Sequence, residues 1–178
     1  MKPYNNPGHF LKLIPAFAVL SSLTCTSVSA SGWIQQLSGT WQGTGSGKPN
    51  AKASPQRIKC QLSGQSNSSS QMTLSGRCAT VKRRGSVSLK LREKSPNSYS
   101  ASARNVFAKA TVQYTGKSNG RRLTLVASKP FAINGKSFRS RIVLKRQGPN
   151  RFSLTETLFN VKTGKRFISL QTSFAGKK

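Results

Sequence analysis

Side chains that commonly carry out acid–base or metal chemistry are scarce in this chain. Its 178 residues include two glutamates, Glu93 and Glu156, one histidine, His9, and no aspartate, against 30 lysines and arginines. General acid–base catalysis and metal catalysis depend on such groups as proton carriers or metal ligands. We therefore expect a protein that is not an enzyme and has no catalytic, cofactor-binding or metal-binding residues.

The N-terminal segment has the pattern of a secretion signal. Two lysines precede or border an apolar run at 13–20, and small residues follow up to Ala30. This pattern is typical of a signal peptide, and the run is too short to span a membrane. We expect residues 1–30 to be removed, leaving a periplasmic or secreted domain at 31–178. The alternative is a lipoprotein cleaved before Cys25, but the residues before Cys25 fit that cleavage pattern poorly.

Removal of the signal leaves a strongly basic domain. The full chain has a net charge of +28, and residues 1–30 contain two lysines and no acidic residue, so their loss lowers the charge to +26. The remaining length suits one domain with a sizeable core. A charge of this size attracts polyanions.

Two cysteines remain after the signal is lost, Cys60 and Cys78. In an oxidising compartment, an even pair indicates a disulfide, and two thiols without histidine or aspartate cannot complete a tetrahedral metal site. Each cysteine lies on the apolar face of an alternating segment. A hairpin folded about Ser69 places Cys60 opposite Cys78 and Leu62 opposite Gly76, so we predict a bond between neighbouring strands.

Apolar and polar residues alternate through most of the mature domain, which is typical of half-buried strands. Turn residues separate the segments, and only 31–37 could form a helical turn. The pattern predicts eight to ten antiparallel strands in a barrel or sandwich. The alternating segments lie at 56–62, 72–78, 87–91, 106–114, 123–127, 138–145, 152–158 and 168–174.

The cations of these segments must lie on the outside. An inward-facing set would have only two glutamates as partners, and burying unpaired cations is costly. A soluble barrel is therefore favoured over an outer-membrane one. The cations concerned are Arg57, Lys59, Arg77, Lys90, Arg92, Lys109, Arg139, Arg141 and Lys145.

The segment Gly39-Thr40-Trp41 resembles the Gly-x-Trp opening of the lipocalin and wider calycin superfamily. Together with Cys60 and Cys78-Ala79, it resembles small secreted calycin-like proteins of alphaproteobacteria. The resemblance implies a single antiparallel up-and-down barrel after the short helical turn, with Trp41 as the plug of its closed end and 45–55 as a long loop at its open end. The Asp-containing lipocalin motif is absent. Small periplasmic metalloprotease inhibitors also combine such an opening with a cysteine bridge, in a shorter chain.

Basic clusters supply the candidate binding residues. The candidate polyanion-binding residues are Lys82, Arg83, Arg84, Arg121 and Arg122 at turns, and Arg139, Arg141 and Lys145 along one strand face. For each cluster the alternative is an ordinary solvated surface. The available anions are lipopolysaccharide, acidic polysaccharide, anionic lipid and extracellular DNA. Sequence-specific nucleic-acid recognition is not expected, because no helix-turn-helix, zinc-finger or RNP pattern occurs.

The two glutamates leave alternatives open. Glu156 lies on an apolar face, where it could anchor a ligand inside the barrel, pair with a nearby arginine or lie at a rim that water reaches. Glu93, beside Arg92 and Lys94, is expected in a surface ion pair of small value.

Three functions follow. The first is a non-enzymatic binding protein with a basic surface for anionic envelope or extracellular polymers. The second is a calycin-type carrier of a small apolar ligand inside the barrel. The third is a periplasmic protease inhibitor, which would need a free arm after Ser31.

Overall fold

The computed structural model describes residues 32–104 and 111–177. The predicted signal peptide at 1–30 and its cleavage site lie outside these residues, as do residues 106–110 of the predicted segment at 106–114, which include Lys109. A short helix, α1 (Trp33–Gln36), precedes eleven strands. The strands are β1 (Gly39–Gly47), β2 (Gln56–Ser68), β3 (Gln71–Ala79), β4 (Arg84–Ser95), β5 (Ser98–Arg104), β6 (Val112–Ser118), β7 (Arg122–Ala127), β8 (Phe131–Ile133), β9 (Lys136–Gly148), β10 (Arg151–Asn160) and β11 (Arg166–Gly176).

Ten of these strands form a closed antiparallel barrel. Each of β1 to β6 pairs with the next strand, β7 pairs with β9, and β9, β10 and β11 follow in order until β11 returns to β1. The three-residue β8 lies outside the ring and pairs with β9. The predicted all-β, up-and-down barrel after a short helical turn is confirmed, with the strand number at the upper end of the predicted range.

The two ends of the barrel differ. At one end, which we call the closed end, α1 lies across the barrel with Trp33, Ile34 and Leu37 buried. The opposite end, which we call the mouth, is bounded by the connections at 48–55, 80–83, 128–135 and 161–165. The first of these matches most of the long open-end loop that the calycin resemblance implies.

Aromatic packing fills the closed end. The Trp41 side chain is 3% exposed, and its Nε1 donates a hydrogen bond to the Leu37 carbonyl oxygen at 2.9 Å. The Trp41 ring meets Phe152 edge-on, with 4.8 Å between centroids, and Phe152 stacks on Phe174 at 4.7 Å. Gly43 makes room for this stack, because a Cβ there would lie 2.4 Å from the Phe174 ring. Close packing of these side chains fills this end of the barrel.

The predicted disulfide is confirmed. Cys60 and Cys78 are bonded across β2 and β3, with 4.1 Å between their Cα atoms. The predicted register is also correct, because Leu62 lies opposite Gly76 on the same pair of strands. Closing a loop of this length is worth about 3 kcal/mol.

One prediction about β11 is wrong. Strict alternation would turn Ile168 inward with Leu170, but its side chain is 46% exposed. The pairing of β10 with β11 shifts register after Glu156, so Ser169 is an extra residue on β11. A β-bulge of this kind reverses the faces on either side of it, which turns Ile168 outward and brings Phe167 to the inside.

Candidate functional site

The predicted polyanion-binding residues do not form one cluster. All eight are exposed. Lys82, Arg83 and Arg84 lie at the mouth, whereas Arg121 and Arg122 lie at the closed end. Arg139, Arg141 and Lys145, which we call the β9 stripe, lie on the outer face of β9.

Strand pairing brings other cations beside the stripe. Arg122 on β7 lies directly opposite Lys145. At the other end of the stripe, Arg139 lies opposite Phe159 on β10, and Phe159 in turn lies opposite Arg166 on β11. Sequence reasoning missed Arg166 and Phe159, because their proximity to the stripe follows from the pairing of β9, β10 and β11.

Aromatic and aliphatic side chains lie among these cations. The Arg141 guanidinium is 5.7 Å from the centroid of the Phe159 ring. Val126 lies opposite Arg141 on β7 and is 41% exposed, and Ile168 lies two strands away in the same row. The outer wall of β7, β9, β10 and β11 therefore combines cations with partly exposed apolar groups.

Neither glutamate lies on this outer wall. The two glutamates of the chain are Glu93, at the closed end, and Glu156, inside the barrel. Like charges placed directly opposite each other on neighbouring strands are destabilising, as for Arg122 and Lys145. A bound anion would relieve that repulsion.

A hydrogen-bonded polar cluster occupies the barrel interior. Glu156 is 3% exposed, so the rim position considered for it is wrong. Its Oε1 accepts a hydrogen bond from Ser140 Oγ at 3.0 Å, and its Oε2 accepts one from Ser169 Oγ at 2.7 Å. Tyr114 Oη donates to Ser140 Oγ at 3.2 Å. Ser169 reaches this position because the bulge in β11 turns it inward.

Burial raises the pKa of the Tyr114 phenol above its usual range, and the negative charge of Glu156 raises it further, against the hydrogen bond with Ser140. The phenol therefore keeps its proton and remains a donor at neutral pH. The residues of this cluster form a chain of donors that ends on one carboxylate.

The interior cavity beside Glu156 is small. Its volume is about 60 Å³, and its walls include Leu89, Ala103, Ile142 and Leu154. Pockets for small organic ligands usually measure about 300–1,000 Å³. A space of this size holds about two water molecules, so this cavity is too small for the ligand of a carrier.

The prediction for Glu93 is wrong, because its partner is a buried tyrosine. Glu93 is half-buried, and its Oε1 accepts a hydrogen bond from Tyr99 Oη at 3.1 Å. Burial, this hydrogen bond and the charge of Glu93 raise the pKa of Tyr99 to about 12, although the Trp33 backbone N–H and the charge of Arg146 oppose the shift. Helix α1 thus covers Glu93, which sequence neighbours alone could not show.

The closed end also contains a cation over an aromatic ring. The Arg146 guanidinium lies 5.0 Å from the centroid of the Trp33 ring, and Trp33 Nε1 donates to Ser118 Oγ at 2.9 Å. Burial lowers the pKa of Arg146, and the nearby Tyr99 phenol partly offsets the effect. Arginine still remains charged at any physiological pH. These contacts fix α1 on the barrel.

Two further observations concern the described part of the chain. It contains no group of three or more histidine, cysteine, aspartate or glutamate residues placed to hold a metal ion. Within the same residues, no helix has the length and apolar character needed to cross a membrane.

The chain is similar in structure to two solved proteins. The chain is similar to a redesigned β-barrel, b11L5F_LGL, at 12% identity and a TM-score of 0.44, over 82% of this chain and 95% of that one. It is also similar to EF1p2_mFAP2b bound to DFHBI, at 16% identity and a TM-score of 0.45, over 84% of this chain and 100% of that one. No protein-family model matches the chain, and no curated protein matches it. Neither structural likeness indicates a ligand or an activity for this chain.

Proposed function

We propose that this protein is a non-enzymatic binding protein of the periplasm or extracellular space, and that its basic outer wall holds anionic polymers or lipid headgroups. The observation that carries the proposal is the exposed β9 stripe with Arg122 and Arg166 in register beside it. Candidate partners are lipopolysaccharide, acidic polysaccharide, anionic lipid and DNA bound without regard to sequence.

The position of the stripe on a central strand supports this function. β9 is hydrogen-bonded on both sides, to β7 and β10, so the Cα positions of Arg139, Arg141 and Lys145 are held at fixed spacings. Binding to such an array orders fewer degrees of freedom than binding to cations on loops, which favours affinity. A long polyanion lying along the wall could contact several cations at once.

The salt dependence of binding tests the proposal. Neutralising about six phosphates should make the affinity for DNA fall roughly a thousandfold between 50 and 200 mM salt. Replacing Arg139, Arg141 and Lys145 with glutamine should reduce that salt slope. The matched control replaces three scattered, exposed lysines, Lys129, Lys162 and Lys177, and should reduce it less.

Two outcomes would count against the proposal. Equal slopes for the stripe and control variants would show a diffuse cationic cloud instead of a site. Negligible affinity for lipopolysaccharide, heparin and DNA at 50 mM salt would remove the function altogether.

The alternative functions have less support. The interior cavity of about 60 Å³ is too small for the apolar ligand of a carrier. The inhibitor function needs a free arm after Ser31, but Trp33, Ile34 and Leu37 are buried against the barrel.

A further inference from the structure

We propose a second binding site at the barrel mouth, which takes a small amphipathic anion: a carboxylate, sulfonate or phosphate attached to a body of one or two rings. The mouth contains a cavity of about 580 Å³ between the 48–55 connection, β8 and the 161–165 connection. This volume lies within the usual range for sites of small organic ligands, and mouths of β-barrels are common places for them. The site is separate from the outer wall and does not depend on polyanion binding there.

Aromatic rings form the apolar side of this cavity. Phe138 and Phe167 line it and meet edge-on, with 6.2 Å between centroids, and Ile133 on β8 adds an aliphatic wall. Phe138 is buried, whereas Phe167 is half-buried. Phe167 lines the cavity because the bulge in β11 reverses the faces of that strand. A flat ring placed against these side chains would remove apolar surface from water on both sides of the contact, which favours binding.

Cations and amides form the polar side. The lysines Lys52, Lys136 and Lys165 line the cavity and are exposed, and the described lining includes no carboxylate. Asn50 Oδ1 accepts hydrogen bonds from the backbone N–H groups of Lys52 and Ala53, both at 2.9 Å. An amide whose oxygen is used in this way retains its NH₂ group as a donor.

Asn160 has the same arrangement, because its Oδ1 accepts from the Thr163 backbone N–H at 2.9 Å. The polar groups of the lining are therefore mainly donors and positive charges. A ligand that matches them carries acceptors and negative charge, which is why the apolar body must bear an anionic group.

Backbone hydrogen bonds hold the walls in place. The Lys48 N–H donates to the Ser169 carbonyl at 2.8 Å, which ties the 48–55 connection to β11. The Val161 N–H donates to the Ser137 carbonyl at 2.9 Å, which ties the 161–165 connection to β9. Because the walls are already ordered, a ligand would lose little affinity to ordering them.

The test compares two fluorescent probes that differ in one group. 8-Anilinonaphthalene-1-sulfonate has two ring systems and a sulfonate, and N-phenyl-1-naphthylamine has the same rings without it. In titrations of the folded protein at 150 mM salt, we expect one molecule of the sulfonate to bind about tenfold more tightly than the neutral probe, equivalent to about 1.4 kcal/mol.

Charge removal then locates the site. Replacing Lys52, Lys136 and Lys165 with glutamine should abolish the preference for the sulfonate and leave the affinity for the neutral probe unchanged. The matched control removes the same charge near the closed end and away from the β9 stripe, by replacing Arg92, Lys94 and Lys117 with glutamine, and should retain the preference. Since all six residues are exposed, neither variant should lose its fold, which the melting temperature checks.

A third variant tests the apolar side. Phe167→Ala should lower the affinity for both probes severalfold, while the near-ultraviolet circular dichroism of the two tryptophans stays the same as in the wild-type protein. The proposal is overturned if the sulfonate shows no preference over the neutral probe. It is equally overturned if the closed-end variant loses as much preference as the mouth variant, because the anion would then respond only to total charge.

Discussion

The closed end and the mouth of the barrel are built differently. At the closed end, Trp33, Trp41 and Phe152 are 3% exposed or less and leave no ring without a packing partner. At the mouth, Phe167 is half-buried beside a cavity of about 580 Å³, and lysines surround it. One end is filled by side-chain packing, whereas the other presents an apolar floor and a charged rim to a ligand.

The difference shows how the barrel separates stability from binding. Dense packing at one end supplies stability through burial of apolar surface. Groups at the other end are partly exposed and mostly of one charge, so they bury less apolar surface. Variants at the two ends should therefore differ in what they change.

The largest expected effect is at the closed end. Trp41→Ala removes a fully packed indole and should lower the free energy of unfolding by about 3–5 kcal/mol. Phe167→Ala at the mouth should lower it by much less, because that ring is only half-buried. Denaturant unfolding of both variants measures the difference. Equal losses would show that the mouth is as tightly packed as the closed end.

The disulfide should have the next largest effect. Cys78 lies opposite Gly85, near the start of β4 at the mouth, so the bond joins β2 and β3 in the half of the barrel nearer the mouth. Replacing both cysteines with alanine should cost about 3 kcal/mol. Peptide mapping without reductant should find Cys60 and Cys78 linked, and full alkylation of both thiols in mature protein would contradict this.

The interior polar cluster should have a smaller effect. Glu156→Gln removes the charge that accepts hydrogen bonds from Ser140 and Ser169, and each hydrogen bond to a charged group is worth about 1.5–3 kcal/mol at most. We expect a total loss of about 1–3 kcal/mol, because the amide keeps one acceptor. Thr155→Ala on the same strand is the control. A stability equal to that of the control would show that the cluster contributes nothing.

The smallest effect is a pH dependence at the closed end. The pKa of Tyr99 is raised to about 12 from its ordinary value of 10.0. The folded protein therefore holds this proton more tightly than the unfolded chain does, and the resulting stability is present below pH 10 and is lost as the pH rises from about 10 to 12. Lysines also lose charge in this range, so the comparison must be made with a variant.

Tyr99→Phe removes that proton. Its melting temperature should fall less between pH 9 and pH 11.5 than that of the wild-type protein, whatever its stability at neutral pH. Parallel pH profiles would show that Tyr99 titrates normally and that α1 does not shield it.

Several features of the candidate sites were not available from sequence. Glu156 could be assigned to an apolar face, but its burial depends on the neighbours that surround it in the closed barrel. Glu93 was expected in a surface ion pair, because its sequence neighbours are cations. Tyr99 and α1 cover it only in the folded chain, where β4 pairs with β5. Arg166 and Phe159 lie beside the β9 stripe because of the pairing between strands. Phe167 lines the cavity at the mouth because a bulge in β11 interrupts the alternation.

The sequence by itself determined the antiparallel all-β class, the disulfide and the outward direction of the cations. Each depends on local rules: strands alternate with a period of two, cysteines on facing strands meet in a short hairpin, and two glutamates cannot neutralise a buried set of cations. The tertiary structure decided which rings pack with Trp41 at the closed end, the position of Glu156 and the cavity at the mouth. These depend on which strands become neighbours and on one shift of register. A bulge moves side chains to the other face of a strand, and the residue pattern on either side of it does not reveal this change.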